Sequence, residues 1–328
     1  MPVAVPVVDQ RLMPRLRLAW EDSRMLMVTG GTGYLGSALV GRLVDRGYEV
    51  RVVLRDPARA DGVLPPGVER VVADLDDAQS VRRAARGCDG VLHVAGSVGH
   101  SPDETRRVNV EGTRTVLAAA VAEGVRRFVH TSTSAAVMDA SGLVAEHPVA
   151  PPALTDAYST SKAAAERWVL AAEGIEAVVV NPVNVYGPSP RGPLSYNALL
   201  LAAARGEVEK IVDAPVGWLL ADDAVTGHLL ALERGEPGRR YVLCGEVAPF
   251  GRVLHTFAGL VGGHRVRTLP PGSSLGADAG TFARRSEVYG GFPPVRVDDA
   301  EARALGFTPR GVDEGLVATA AWISALQG

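Results

Sequence analysis

Eight residues, Thr29-Gly30-Gly31-Thr32-Gly33-Tyr34-Leu35-Gly36, follow the apolar run Met25 to Val28 and open an amphipathic stretch from Ser37 to Asp45. Glycines therefore fall where a strand hands over to a helix, and that placement fits few architectures. Gly30 allows a tight turn, Gly33 lets the backbone approach a ligand, and Gly36 lets the helix pack on the strand. The helix start adds unpaired N–H groups and the positive end of a dipole, which together suit a phosphate. The spacing predicts a dinucleotide pyrophosphate at this turn, and hence NAD or NADP.

In a chain with 37 glycines such a triplet also arises as a plain turn, so a second signal matters. Tyr158-Ser-Thr-Ser-Lys162 sets a phenol and an amine four residues apart, on one face of a helix. Upstream lies the hydroxyl cluster Thr131-Ser132-Thr133-Ser134. Of the 34 basic residues only Lys162 and Lys210 are lysine. A chain that otherwise uses arginine has kept a primary amine at Lys162, which points to chemistry that a guanidinium would spoil.

Composition narrows the class of protein further. With 328 residues and 47% hydrophobic content, the chain can bury a large core. A formal net charge of -3 without a basic block offers nucleic acid no grip, so no such partner is expected. Cys88 and Cys244 stand alone without metal-ligand spacing, and read as buried thiols; no metal site is expected. The stretch Met1 to Val8 is apolar but broken by prolines and followed by arginines, the wrong order for a signal peptide. No apolar run reaches membrane-spanning length, and a soluble, cytoplasmic protein is the expectation.

Residues 1–24 read as an extension without an assigned role, in which Arg11 to Asp22 could form a short helix. Beyond them strand and helix signals alternate: strands over 49–54, 68–73, 90–95, 126–131 and 177–180, and helices over 78–86, 104–123 and 156–172. This alternation predicts an α/β fold, a doubly wound parallel sheet with both faces covered. After Asn181-Pro182 prolines and glycines concentrate at 182–193 and 262–294. That half is expected to form a smaller C-terminal cap, with helices near 195–205, 250–261, 298–305 and 313–325. The predicted organisation is a nucleotide-binding unit over 25–182, to which 217–245 returns, and a substrate-binding cap from 183–216 and 246–328.

Together the motifs resemble the extended short-chain dehydrogenase/reductase family over about residues 25 to 245. Besides Thr29–Gly36 and the Tyr158/Lys162 pair, the resemblance includes Ala73-Asp74-Leu75, His93-Val94-Ala95-Gly96, Asn109 to Thr113, and Asn181-Pro-Val-Asn-Val-Tyr-Gly187-Pro188. The segment Asp222 to Leu232 is similar to dihydroflavonol reductase-like members and to epimerase-like reductases. The resemblance implies a Rossmann domain and hydride transfer to or from nicotinamide. It implies Tyr158 as proton donor, Lys162 as the cation beside it and a ribose contact, Thr133 as the hydroxyl on the substrate oxygen, and Asn109 as anchor of a water path to the lysine. Ser132 and Ser134 are lesser candidates for the hydroxyl. Thr32, Tyr34 and Leu35 join the glycine loop, Asp74 and Leu75 resemble the adenine contact, Ala95 and Gly96 the floor of the cleft, and Asn181, Pro182 and Val183 the loop at the nicotinamide face. His93 reads as a core residue. A homodimer through two helices of each subunit is common among similar proteins.

Cofactor choice turns on the end of the second strand. An NAD enzyme places a carboxylate there for the ribose 2′-hydroxyl. Here the strand ends Leu54-Arg55, and a forked, permanently charged arginine suits a 2′-phosphate, so NADP is favoured, with Asp56 as the competing ribose contact. For nucleotide sugars the family uses a basic contact in the cap, where this chain reads Pro215-Val-Gly-Trp218-Leu-Leu-Ala. An apolar lip of Trp218, Tyr186, Tyr196 and Leu220, with His100, Asn184 and Tyr196 as polar candidates, suggests a small or medium ketone or hydroxyketone that is aromatic or otherwise hydrophobic. The expected activity is NADPH-dependent ketone reduction. Two rivals are an epimerase or dehydratase using the same residues, and a non-catalytic cofactor-sensing protein.

Overall fold

The computed structural model describes residues 25–98, 101–276 and 279–327. The helix expected over Arg11 to Asp22 and the candidate His100 lie outside the described residues. The chain opens with β1 (Met25–Thr29), whose apolar run is buried from Leu26 onward, and α1 (Tyr34–Asp45), which buries Leu39, Val40 and Leu43. There follow β2 (Glu49–Leu54), β3 (Glu69–Val72), α2 (Ala78–Ala85), β4 (Gly90–His93), α3 (Pro102–Arg106), α4 (Gly112–Ala122) and β5 (Arg127–Thr131). Next come β6 (Leu143–Ala145), α5 (Ala157–Leu170), β7 (Glu176–Pro182), β8 (Asn184–Tyr186), α6 (Tyr196–Ala204), β9 (Lys210–Val212), β10 (Pro215–Leu220) and α7 (Ala221–Arg234). The last elements are β11 (Arg240–Leu243), β12 (Glu246–Pro249), α8 (Phe250–Val261), β13 (Arg267–Leu269), α9 (Thr281–Gly290), β14 (Arg296–Asp298), α10 (Ala300–Ala304) and α11 (Val312–Gln327).

Seven strands form the main sheet in the order β3-β2-β1-β4-β5-β7-β11, and every pairing in it is parallel. Strand order reverses between β1 and β4. In such a sheet the loops after these two strands diverge to opposite faces and leave a crevice at their carboxyl ends, the usual ligand position. The expected helix over 104–123 is a composite: α3 and α4 are joined by a single π-helical segment, Arg107–Glu111, that contains Asn109. Such insertions commonly re-aim a side chain at a functional site.

The return of 217–245 to the main sheet is divided. β11 extends the sheet beside β7, whereas β10 pairs with β8 and antiparallel with β12 in a separate three-stranded sheet. Around that small sheet α6, α8, α9 and α11 enclose a second core that includes Tyr186, Trp218, Phe250, Phe257 and Leu316. This packing corrects the expected apolar lip. Trp218 is 1% exposed and its indole donates to the Ala248 carbonyl, and Tyr186 is 1% exposed with its hydroxyl on the Val312 carbonyl. Leu220 is equally buried. These side chains are the interior of the cap, not its mouth.

Candidate active site

The crevice at the switch point is a cleft of about 930 Å³. Its lining includes Gly30, Thr32, Gly33, Tyr34, Leu35 and Gly36 from the glycine turn, Arg55 after β2, Asp74 and Leu75 after β3, Ala95 and Gly96 after β4, and Tyr158 and Lys162 from α5. The glycines have measurable reasons to be glycine. Gly30 has φ of +71°, and a Cβ there would lie 2.6 Å from the Ala95 nitrogen. A Cβ on Gly36 would lie 2.1 Å from the Gly30 carbonyl oxygen. No side chain caps the start of α1 and its first turn holds no carboxylate. An uncapped helix start over a backbone cradle suits a pyrophosphate, so the residues present fit a nicotinamide dinucleotide.

At the inner end of the cleft three chemical groups converge. The Tyr158 phenol is raised above its ordinary value by burial, with the neighbouring Thr133 hydroxyl working the other way. Lys162, 3% exposed, donates from Nζ to the Thr131 carbonyl at 2.7 Å. Burial pushes its ammonium down to about 8, against the opposing pull of the Glu166 charge. The backbone at Gly96 passes so close that a Cβ would lie 3.3 Å from Lys162 Nζ and 3.4 Å from Asn109 Oδ1. Asn109 is fully buried: its Oδ1 accepts from Ser97 N at 2.8 Å and its Nδ2 donates to Ser161 Oγ at 3.0 Å, next to the lysine on α5.

Of the neighbouring hydroxyls, that of Ser132 is committed elsewhere. Ser132 Oγ donates to Glu166 Oε2 at 2.6 Å, and Ser134 is buried at the start of a short 3-10 turn whose N-cap is Thr133. Asn181, expected at the nicotinamide face, is fully buried and turned the other way: its Nδ2 donates to the Thr133 carbonyl at 3.0 Å and to Glu166 Oε2 at 2.9 Å. Pro182 and Val183 are buried beside it, Val183 against Gly217. None of these three is part of the cleft lining, and the Asn181 side chain backs the Thr133 turn. Glu166 joins this support. Its Oε1 lies 2.6 Å from Arg240 Nε, an ion pair without hydrogen-bond alignment. Sequence reasoning missed Glu166, although its place one helical turn after Lys162 was a usable signal.

Arg55 is exposed at the rim of the cleft, and Arg59 lines the same rim. Among the described residues neither has a carboxylate partner. Asp56 lies between them and its carboxylate accepts from Ala58 N at 3.0 Å, capping a short turn. Asp74 Oδ1 accepts from Asp76 N, and the cap of α2 is Asp77, which leaves Asp74 at the cleft wall. His93 is a core residue as expected, bridging Thr29 at 2.6 Å and Thr113 at 2.9 Å, with burial driving its imidazolium down to about 3. Arg191 is a further cation on the cleft wall that the sequence did not single out.

On the cap side, Tyr196 starts α6, packs edge-on against Trp218 with ring centres 5.4 Å apart, and lies near Arg285 of α9. Asn184 lines a small void shared with Ser134 and Tyr289. Of the five substrate candidates, Tyr186, Trp218 and Tyr196 belong to the cap core, Asn184 is buried beside a small void, and His100 lies outside the described residues.

Fold and cleft together define an NAD(P)-dependent oxidoreductase of the short-chain dehydrogenase/reductase type. The chain belongs to the NAD dependent epimerase/dehydratase family, whose sequence profile matches residues 26–244. It is 35% identical over 256 residues to the sterol demethylase protein B of Methylococcus capsulatus, covering 75% of this chain and 77% of that one. It is 36% identical over 228 residues to a 4-hydroxy-2-methyl-3-oxo-4-farnesyl-3,4-dihydroquinoline-1-oxide ketoreductase of Stigmatella aurantiaca, covering 66% of each. The fold is similar to a UDP-glucose 4-epimerase of Thermus thermophilus in complex with NAD, with a TM-score of 0.74 at 25% identity over 92% of this chain and 99% of that one. Among the described residues no helix is long and apolar enough to cross a membrane, and no cluster of side chains could hold a metal ion.

Proposed function

We propose that the protein is an NADPH-dependent ketoreductase that reduces a hydrophobic ketone to a secondary alcohol. The observation that carries this reading is the placement of the Tyr158 phenol on the cleft wall, one helical turn from a buried lysine that lines the same cleft. NADPH bound along the glycine turn supplies the hydride. Tyr158 gives its proton to the ketone oxygen, Thr133 donates to that oxygen as charge develops on it, and Lys162 offsets the negative charge left on the phenolate. Asn109 holds the Gly96–Ser97 backbone against α5 and so fixes the floor beneath Lys162.

Arg55 and Arg59, two cations without carboxylate partners beyond β2, support a 2′-phosphate and therefore NADPH over NADH. Val98 and Leu194, exposed apolar residues on the cleft wall, take over the role first given to Trp218 and Tyr186 in favouring an apolar substrate. Reduction is preferred to epimerisation of a nucleotide sugar because β10 offers no cation for a diphosphate. We further propose a homodimer through α4 and α5, whose surface exposes Val121 and Trp168. The test is NADPH oxidation with a panel of aliphatic ketones, aromatic ketones and nucleotide sugars. Turnover of a nucleotide sugar without net NADPH oxidation would replace this reading by the epimerase one.

A further inference from the structure

Five cations line the cleft, and four of them have a role or a partner already. Lys162 is committed to the Thr131 carbonyl, Arg107 is paired with Asp76, and Arg55 and Arg59 lie at the rim beyond β2. Arg191 is left. It belongs to the cap segment between β8 and α6, and among the described residues its guanidinium has no ion-pair or hydrogen-bond partner.

That segment is fastened directly to the glycine turn. Ser189 Oγ accepts from Arg191 N at 3.2 Å and donates to the Tyr34 carbonyl at 2.7 Å, so the Arg191 backbone stands two hydrogen bonds from the first turn of α1. The Tyr34 phenol reaches back to the segment. Its Oη donates to the Gly187 carbonyl at 2.7 Å and accepts from Asn197 Nδ2 at 3.0 Å, while Asn197 Oδ1 accepts from Gly187 N at 2.8 Å. Ser195, near the far end, is the one residue other than glycine with a positive φ among the described residues, 59°, and its Oγ donates to the Val185 carbonyl at 2.9 Å. Such a conformation persists only where its surroundings impose it, so the path that brings Arg191 to the cleft is built into the fold. The start of α1 offers a phosphate N–H groups and a partial charge, and the glycine turn carries no cationic side chain. Of the five cations, Arg191 is the one whose backbone is tied to that turn.

We propose that Arg191 is a cofactor ligand supplied by the cap, its guanidinium pairing with the pyrophosphate of the dinucleotide at the glycine turn. The inference rests on the dinucleotide reading of the cleft, and neither on ketone reduction nor on the choice of NADPH. A guanidinium fork matches two oxygens of a phosphate. The cap thereby grips the cofactor through one residue, and the contacts of Tyr34 with Gly187 and Asn197 set where that residue stands. Arg55 and Arg59 face the 2′-phosphate, which NADH lacks, whereas the pyrophosphate is common to NADH and NADPH. This difference separates the two roles.

The test measures the dissociation constants of NADPH and NADH by nicotinamide fluorescence in the wild type, Arg191→Ala and Arg191→Lys, with no ketone present. Arg191→Ala should raise both constants by the same factor, about 10-fold to 100-fold, the worth of charge-assisted hydrogen bonds, and Arg191→Lys should recover part of the loss. Without cofactor the Tm should stay at the wild-type value, because the side chain has no partner to lose, and the rise in Tm on adding NADH should shrink. Tyr34→Phe should also weaken both cofactors, and by a smaller factor in the Arg191→Ala background than in the wild type; equal factors would overturn the positioning by Tyr34. Unchanged constants in Arg191→Ala would make Arg191 a solvated cation and overturn the proposal. Weakening of NADPH alone would move Arg191 to the 2′-phosphate, and intact cofactor binding with a raised KM for an anionic substrate would move it to the substrate; either result overturns the proposal as well. Arg191-dependent binding of both cofactors in a protein that reduces no ketone would leave this proposal standing and refute the ketoreductase reading.

Discussion

Lys162 Nζ donates to the Thr131 carbonyl at 2.7 Å, so α5 is tied to the same strand end that carries Thr133. The register between Tyr158, Lys162 and Thr133 is therefore fixed by a bond inside the site. That bond holds an ammonium in a place that disfavours its charge.

A pH dependence of stability follows. Burial brings native Lys162 to about 8 from an ordinary 10.5, so between these values the unfolded chain binds more protons than the folded one. The destabilisation due to this charge is present in full below pH 8 and disappears as pH rises towards 10.5. Lys162→Met should thus gain stability relative to the wild type at pH 7, and the difference should shrink by pH 10. Urea midpoints of both proteins at the two pH values, without cofactor, measure it; a difference independent of pH would mean that Lys162 is not buried as a cation.

Tyr158→Phe keeps the ring and removes the proton donor. Turnover should fall by about 100-fold to 10,000-fold, the range of general acid catalysis, while NADPH binding by fluorescence stays near that of the wild type. Activity within a few-fold of wild type would remove Tyr158 from the mechanism.

Thr133→Val should reduce kcat by about 10-fold to 100-fold, for the loss of one hydrogen bond to developing charge, and Thr133→Ser should restore it. Ser132→Ala should act differently, because Ser132 faces Glu166 and not the phenol. If Ser132→Ala is the more damaging of the two in kcat, the hydroxyl that meets substrate has been assigned one residue too late.

Glu166→Gln breaks a pair in which Glu166 is 2% and Arg240 16% exposed. Leaving one buried charge without its partner costs about 3–5 kcal/mol, so a large drop in the denaturation midpoint is expected. The neutral side chain also withdraws the charge that favours protonated Lys162, so the basic limb of kcat/KM should move to lower pH. An unmoved limb would make Glu166 a purely structural residue.

The groups that the fold gathers in one cleft were legible in the sequence because their spacing is local. Glycines between a strand and a helix, and Tyr158 and Lys162 one turn apart, carry their geometry within a few residues. What was not legible depends on packing between distant segments. Trp218 and Tyr186 read as a lip because aromatic residues near a cleft and aromatic residues in a core look alike until β10 is seen to pair with β8 and β12. Asn181 had the right position in the chain, but its side chain is drawn to Glu166 and the Thr133 carbonyl. The helix that carries Arg285 and Tyr289 fell inside 262–294, a stretch rich in prolines and glycines where no helix was expected, although α9 itself runs uninterrupted over Thr281–Gly290.

Arg55 offers the most direct test of cofactor choice. It ends β2 at the cleft rim with no carboxylate partner among the described residues, and Arg59 lies close by on the same rim. If its guanidinium binds the 2′-phosphate, Arg55→Ala should raise the KM for NADPH by about 10-fold to 100-fold and leave NADH nearly unaffected. Arg59 can retain part of the phosphate binding, so the double variant Arg55→Ala/Arg59→Ala should lose more than either single one. Arg55→Asp should invert the preference, because a carboxylate accepts from the 2′-hydroxyl and repels the phosphate. The measurement is the ratio of kcat/KM for NADPH and NADH in each protein. A wild type that already prefers NADH, with Asp56 as the ribose contact, would reverse the assignment; an unchanged ratio in all variants would make Arg55 and Arg59 solvated surface residues.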